Sequence, residues 1–428
     1  MTSQTLETAY TIDTSSIKFG VGVTREVGYE MHRLGTRRVM VVTDPRMASS
    51  EAVAITLESL RNEGIDAVLF DRVSVEPTDV SFKEAIAFAT EGNFDGYVAV
   101  GGGSSIDTAK AANLYATWPS DFLAYVNAPI GEGRLVPGPL KPLIAIPTTS
   151  GTGSETTGVA IFDFLEMEAK TGIAHRALRP VMGIVDPLHA RTLPSEVVAY
   201  SGFDVLCHAL ESYTALPFSE RDAPENPSLR PSYQGANPIS DVWATRAVEM
   251  VAGSMVRAYD DAADIEARSQ MMLAATFAGV GFGNAGCHLP HGMSYPVSGM
   301  VREFCPDGYP QDAPLVPHGM SVILNAPAVF RFTAPTNPAR HLHAARLMGQ
   351  EVHGASPEDA GELLVDAIVG LMRRVNVPNG LSAIGYSEDD VEKLVEGSLP
   401  QHRGVKRSPR PAGAEELRSL FRDSMNLW

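Results

Sequence analysis

The sequence predicts an α/β N-terminal domain, built on a Rossmann-like parallel sheet, followed by an all-α C-terminal domain. Three observations predict it. Short apolar runs alternate with helical stretches through the first half, the pattern of a parallel sheet covered by helices on both faces. Two turns rich in glycine and hydroxyl residues each follow directly on such a run. Beyond Pro194 strand signals become few and helical patterns dominate. The boundary falls near Thr192–Leu193, so the domains are 1–192 and 193–428.

Taken in order, Arg38–Val42 (RVMVV) reads as a buried strand ending at Thr43-Asp44-Pro45. A helix follows over Ala52–Arg61, then a strand over Ile65–Phe70, a helix over Ser81–Thr90 and a strand over Tyr97–Val100. Ser105–Leu114 is helical, and Leu143–Ile146 is the next strand. Pro194 and Ser195 begin a helix that carries SGFDVLCHALE. Further helices are expected at Ser240–Tyr259, Ile265–Gly279, Pro338–Gly349, Pro357–Val375, Glu388–Val395 and Ala414–Met425. Trp118–Pro142 and Leu216–Pro238 lack periodicity. Loops of that length serve as lids, binding loops or oligomer contacts, or are plain surface excursions.

Gly101, Gly102, Gly103 and Ser104 stand between a strand and a helix. Glycine there lets backbone approach a ligand closely, and a helix N-terminus favours anions, so a dinucleotide pyrophosphate fits. The loop Thr148-Thr149-Ser150-Gly151-Thr152 also follows a strand and brings donors to the same sheet edge, where ligands of open α/β sheets bind. Asp44, just past a strand, is placed to accept from a ribose 2′-hydroxyl and to repel a 2′-phosphate; it also suits a turn before proline.

Asp204 and His208 are four apart in an apolar helical pattern, hence on one helix face. Buried together they need a partner. The stretch Gly281–Gly319, dense in glycine and proline, reads as loop and carries His288, His291 and His318. Asp204, His208, His291 and His318 form the expected ligand set for one divalent metal.

Composition limits the alternatives. A net charge of −17 over 428 residues argues against nucleic acid as a partner. Cys207, Cys287 and Cys305 make no C-x-x-C pair, which points to a reducing compartment and to structural thiols. Residues 1–16 are polar, without the apolar core of a secretory signal or the arginines of a presequence. No apolar run reaches the roughly 18 residues of a membrane span. The expected location is cytoplasmic.

GGGSSIDTAK, PTTSGTGSE, GFDVLCHALE, HGMSYP and PHG occur in one order, and through them nearly the whole chain resembles the iron-containing alcohol dehydrogenase family, which shares the dehydroquinate synthase-like fold. The resemblance implies an oxidoreductase that uses NAD and a divalent metal, Fe2+ first and Zn2+ second, lying between its two domains. It places the metal on Asp204, His208, His291 and His318, and NAD on Asp44, Gly101–Ser104, Asp107, Thr148, Thr149, Thr152 and Lys170. Many members read H-G-M-x-H; here the second histidine is replaced by Tyr295, so Tyr295 and His291 become the catalytic candidates.

HGMSYP, the insert before LVPHG and RPSYQGANPISD together resemble one branch, the hydroxyacid–oxoacid transhydrogenases. That branch implies hydride transfer from 4-hydroxybutyrate to 2-oxoglutarate through a nicotinamide that stays bound. The implied partners are small hydroxyacids and oxoacids, with a homodimer or larger homo-oligomer as the assembly. Such substrates call for an arginine, and Arg230 and Arg302 are the candidates. The alternatives are a dehydrogenase that releases NADH each turnover and a binding protein without turnover.

Overall fold

The computed structural model describes residues 5–167, 169–309, 311 and 313–428. It divides into two compact units, one of residues 13–192 and one of residues 193–428 joined by those up to Ile12. Residues 5–12 thus belong with the helical unit, not with the α/β domain as expected. Their ties are long-range: Glu7 N–H donates to the Arg221 carbonyl at 2.8 Å, and Thr11 N–H to Gln234 Oε1 at 2.8 Å. Local patterning carries no trace of such pairings.

In the α/β unit, β1 (Ser16–Phe19) and α1 (Val27–Arg33) precede β2 (Arg38–Val42), α2 (Glu51–Asn62), β3 (Asp66–Phe70), α3 (Asp79–Gly92), β4 (Gly96–Gly101) and α4 (Gly103–Thr117). Then come β5 (Leu143–Pro147), the antiparallel hairpin β6 (Val159–Phe164) and β7 (Ala169–Ala174), and β8 (Met182–Val185). The six-stranded sheet is parallel, in the order β1-β8-β5-β4-β2-β3. Residues alternate between its faces. Val39, Val41, Val98 and Val100 join the layer of α1 and α2, whereas Met40, Val42, Tyr97 and Ala99 join that of α3 and α4. β3 and β4 flank β2 on opposite sides, so the chain reverses its direction of travel there. The ends of β2 and β4 therefore form a topological switch point, where crevices open in such sheets. Caps fix the helix starts: Ser50 accepts from Val53 N–H, and Thr78 and Ser81 form a capping box on α3.

The helical unit contains α5 (Ser195–Thr214), α6 (Pro238–Asp260), α7 (Ile265–Ala285), α8 (Leu289–Gly299), α9 (His318–Ile323), α10 (Ala326–Thr333), α11 (Pro338–Leu347), α12 (Ala360–Arg374), α13 (Val391–Ser398), α14 (His402–Val405) and α15 (Ala414–Asp423). α5 is its central rod: from Gly202 to Thr214 every residue is buried, and it packs on α6, α7 and α9. The stretch Gly281–Gly319 differs from expectation. α7 runs on to Ala285, and LPHGMSYPVSG forms α8 despite its proline and glycine. Pro290 suits a first turn, where its missing N–H costs nothing, and packing of α8 on α9 and α13 overrides low propensity. Among the described residues, no helix is long and apolar enough to cross a membrane.

Candidate metal centre and nucleotide site

Three helices of the helical unit build the first site. Asp204 and His208 lie one turn apart on α5, His291 sits in the first turn of α8, and His318 opens α9. The loop origin expected for His291 and His318 is therefore corrected to two helix starts. Asp204 Oδ1 is ringed by three imidazole nitrogens: His291 Nε2 at 3.4 Å, and His208 Nε2 and His318 Nε2 each at 3.7 Å. In a tetrahedral site with metal–nitrogen bonds of about 2.1 Å, ligand atoms stand about 3.4 Å apart. Asp204 Oδ1 and His291 Nε2 are buried and make no hydrogen bond among the described residues. Buried polar atoms without partners are costly, and a cation between them would satisfy both. The residues present fit a divalent metal.

Electrostatics fits as well. Burial alone would raise the Asp204 carboxyl, but the surrounding imidazoles outweigh it and hold the carboxylate ionised. Burial pushes His208 down to about 3, which leaves its ring neutral and able to serve as a ligand. Phe282 stacks on that ring at 3.9 Å and 6°, fixing its plane. His318 is more open, with 28% of its side chain exposed, which gives the centre its access to solvent. His288 does not join the ring of ligands; its Nε2 meets Thr214 Oγ1 at 3.0 Å.

Two residues here escaped the sequence reading. Glu211, buried on α5, meets His291 Nδ1 through Oε1 at 2.6 Å; its place seven residues after Asp204 was a signal available in the sequence. Cys287, read as merely structural, groups with His208 and His291, their ligand atoms within 4.8 Å of one another. Burial raises its thiol to about 11.

The second site lies at the switch point of the α/β unit. A Cβ on Gly101, whose φ is 155°, would meet Ser105 Oγ at 2.4 Å and Asp44 Oδ2 at 3.8 Å. One on Gly103 would meet Thr152 Cγ2 at 2.6 Å, and one on Gly102 would meet Thr149 Oγ1 at 3.4 Å. The two loops thus meet across the N-terminus of α4, with Thr148 N–H donating to the Gly101 carbonyl at 3.0 Å. Ser104 is half-buried in the first turn of α4. Asp44 serves as a turn residue, its Oδ1 accepting from the N–H groups of Arg46 and Met47, while Oδ2 faces the Gly101 strand end.

Several of the expected site residues have partners within the protein. Asp107 accepts from Ser154 Oγ and Lys110 Nζ at Oδ1 and from Ile161 N–H at Oδ2, so it ties α4 to the second loop and β6. The buried Lys110, absent from the expected site, completes that tie by donating to the Val159 carbonyl at 2.7 Å. Lys170 is paired with Glu76 at 2.6 Å and Asp163 at 3.2 Å; these carboxylates overcome burial and raise its pKa, and the pairing is its visible role. Arg230 is held bidentately by Glu7, at 2.9 and 3.1 Å. Arg302 is held by Asp390 and the Gly385 carbonyl. Each guanidinium is thus paired with a carboxylate, and Arg302 keeps 55% of its side chain exposed. Tyr295 lies one turn after His291 on α8, half-buried.

Comparison with known proteins gives the family. A family model described as iron-containing alcohol dehydrogenase matches residues 14–187, and the C-terminal model of the Fe-containing alcohol dehydrogenase family matches residues 232–425. The chain belongs to the iron-containing alcohol dehydrogenase family. Within that family it falls in the hydroxyacid–oxoacid transhydrogenase branch. A Rattus norvegicus protein named mitochondrial hydroxyacid-oxoacid transhydrogenase is 55% identical over 99% of this chain and 91% of its own length. The Homo sapiens protein of that name is 53% identical over the same shares. Among solved structures, 1,3-propanediol oxidoreductase matches with a TM-score of 0.85 and 28% identity over 97% of this chain and 100% of its own. The alcohol dehydrogenase of Oenococcus oeni matches with the same values. This iron-containing alcohol dehydrogenase family member is an oxidoreductase.

The cytoplasmic expectation is corrected by the same comparison, since these transhydrogenases are named mitochondrial. Free thiols report a reducing environment, and they do not distinguish two compartments that both keep thiols reduced.

Proposed function

We propose that the protein is a hydroxyacid–oxoacid transhydrogenase that moves a hydride from 4-hydroxybutyrate to 2-oxoglutarate, giving succinate semialdehyde and 2-hydroxyglutarate, through NAD that stays bound. The observation that carries this reading is the ring of three imidazole nitrogens around Asp204 Oδ1, in a chain 55% identical to a named transhydrogenase.

Asp204, His208, His291 and His318 would hold Fe2+, or Zn2+, both of which accept nitrogen and carboxylate donors. When bound, the ion supplies Lewis acidity toward a substrate oxygen and the nicotinamide supplies the hydride site. The chain does the rest. Asp204 contributes a fixed negative charge and His208 a neutral ring clamped by Phe282. Gly101, Gly102, Gly103 and Ser104 offer backbone and the α4 N-terminus to a pyrophosphate. Thr148, Thr149 and Thr152 line the same edge, and Asp44, whose Oδ2 lies beside Gly101, would accept from a ribose hydroxyl. Tyr295, one turn beyond His291, would be the hydroxyl that exchanges a proton with substrate.

Kinetics test the reading. Protein purified without added NAD should reduce 2-oxoglutarate with 4-hydroxybutyrate, and double-reciprocal plots should be parallel, as ping-pong transfer requires. If turnover instead needs stoichiometric free NAD and simple alcohols outperform hydroxyacids, the protein is a dehydrogenase that releases NADH each cycle.

A further inference from the structure

Glu211 follows His208 by three residues and Asp204 by seven, so α5 presents all three side chains on one face. The Glu211 side chain is fully buried, at 0% exposure. Both its oxygens are used, and both by the segment that carries His291. Oε1 lies 2.6 Å from His291 Nδ1, and Oε2 accepts the His288 backbone N–H at 2.7 Å. His288 is the N-cap residue of α8 and caps no N–H with its own side chain.

A neutral imidazole can give a lone pair from one nitrogen only when its proton sits on the other. If Nδ1–H is donated to Glu211, Nε2, which lies 3.4 Å from Asp204 Oδ1, is the nitrogen left to offer a lone pair to a metal between them. The second oxygen fixes where α8 begins, and so the height at which His291 enters the site. A buried carboxylate in mid-helix is costly without such donors, and an apolar residue would fill the space without that cost. We infer that Glu211 is a positioning residue that selects the tautomer of His291 and anchors α8, and through both sets the affinity of the metal site. The inference rests on the metal reading proposed above.

Glu211→Gln is the direct test, because an amide cannot accept at both positions. Either its NH2 opposes the His288 N–H, or it donates to His291 Nδ1 and moves the ring proton to Nε2. Chelator competition with Zn2+ on folded protein should show affinity lowered about 10- to 100-fold, the range for losing a partner of a ligating histidine. In a His291→Ala background the same substitution should change affinity by less than about two-fold, since the ring it positions is gone. Equal Zn2+ affinity in Glu211→Gln and parent, or an undiminished effect in the His291→Ala background, overturns the inference. If the variant does not fold, nitrogen-15 spectra of histidine-labelled, Zn2+-loaded parent decide: the His291 proton should be on Nδ1, and a proton on Nε2 overturns it. A parent that takes up no Zn2+ or Fe2+ at all sinks the metal reading and this inference with it, whereas a loaded parent with an unaffected variant sinks this inference alone.

Discussion

Gly319 presses its backbone against that of Tyr200, so closely that a Cβ at Gly319 would lie 1.9 Å from the Tyr200 carbonyl oxygen and 3.0 Å from Asp204 Cβ. This contact seats α9 on α5 next to Asp204, and His318 is the preceding residue. Gly319→Ala should push α9 outward, at a cost of about 1–3 kcal/mol for overpacking, and carry His318 away from Asp204. A lower melting temperature and a lower metal-to-protein ratio are expected together; full loading with unchanged melting would refute this account of the contact.

His291→Ala removes the nitrogen nearest to Asp204 Oδ1. The variant should bind metal much more weakly, so that dialysis strips it and nearly all turnover goes with it. Elemental analysis after dialysis checks this, and full occupancy would show that His291 is not a ligand.

Asp44 has two separable tasks. Asp44→Gly removes the turn bonds to Arg46 and Met47, each worth about 1 kcal/mol, and also the carboxylate beside Gly101. Preference for NAD over NADP should fall by about ten-fold, given the size of electrostatic differences near a surface. Dissociation constants of both nucleotides provide the check. An unchanged ratio with lowered stability would leave Asp44 as a turn residue only.

Glu7 ties residues 5–12 to the helical unit through Arg230, and that hydrogen bond is the main cause of a carboxyl lowered from 4.5 to about 2. A depressed carboxyl contributes stability above its unfolded pKa and loses it as pH falls through the folded one. The tether should therefore be fully held above pH 4.5 and released as pH drops toward about 2. Hydrogen exchange at residues 5–12, corrected for intrinsic rate, should rise across that window in the parent. Glu7→Gln should already exchange fast at pH 6, about the neutral side of every carboxylate step, and show no such window.

The elements that sequence made legible share a physical basis: their signals are local. The strands over Arg38–Val42 and Leu143–Pro147 declare themselves as apolar runs because a covered parallel strand is buried on both faces. Gly101–Ser104 is visible because only glycine tolerates the close approach of Ser105 and Thr152. Asp204 and His208 are visible as a pair because helical periodicity puts them on one face. The family motifs then linked these separate signals into a metal and nucleotide reading.

What tertiary structure alone decided depends on contacts between residues far apart in the chain. Pairing of Arg230 with Glu7, 223 residues away, is a contact that no local pattern announces. The turn-rich stretch around His291 became a helix because burial against α9 and α13 outweighs the low propensity of its glycine and proline. The hydrogen bond between His291 and Glu211 spans 80 residues, and the parallel strand order rests on crossovers that strand composition does not encode. Local chemistry determined which residue types are present and which neighbours share a face. Packing determined which way each imidazole points, because a ring's orientation is set by partners that no local pattern names.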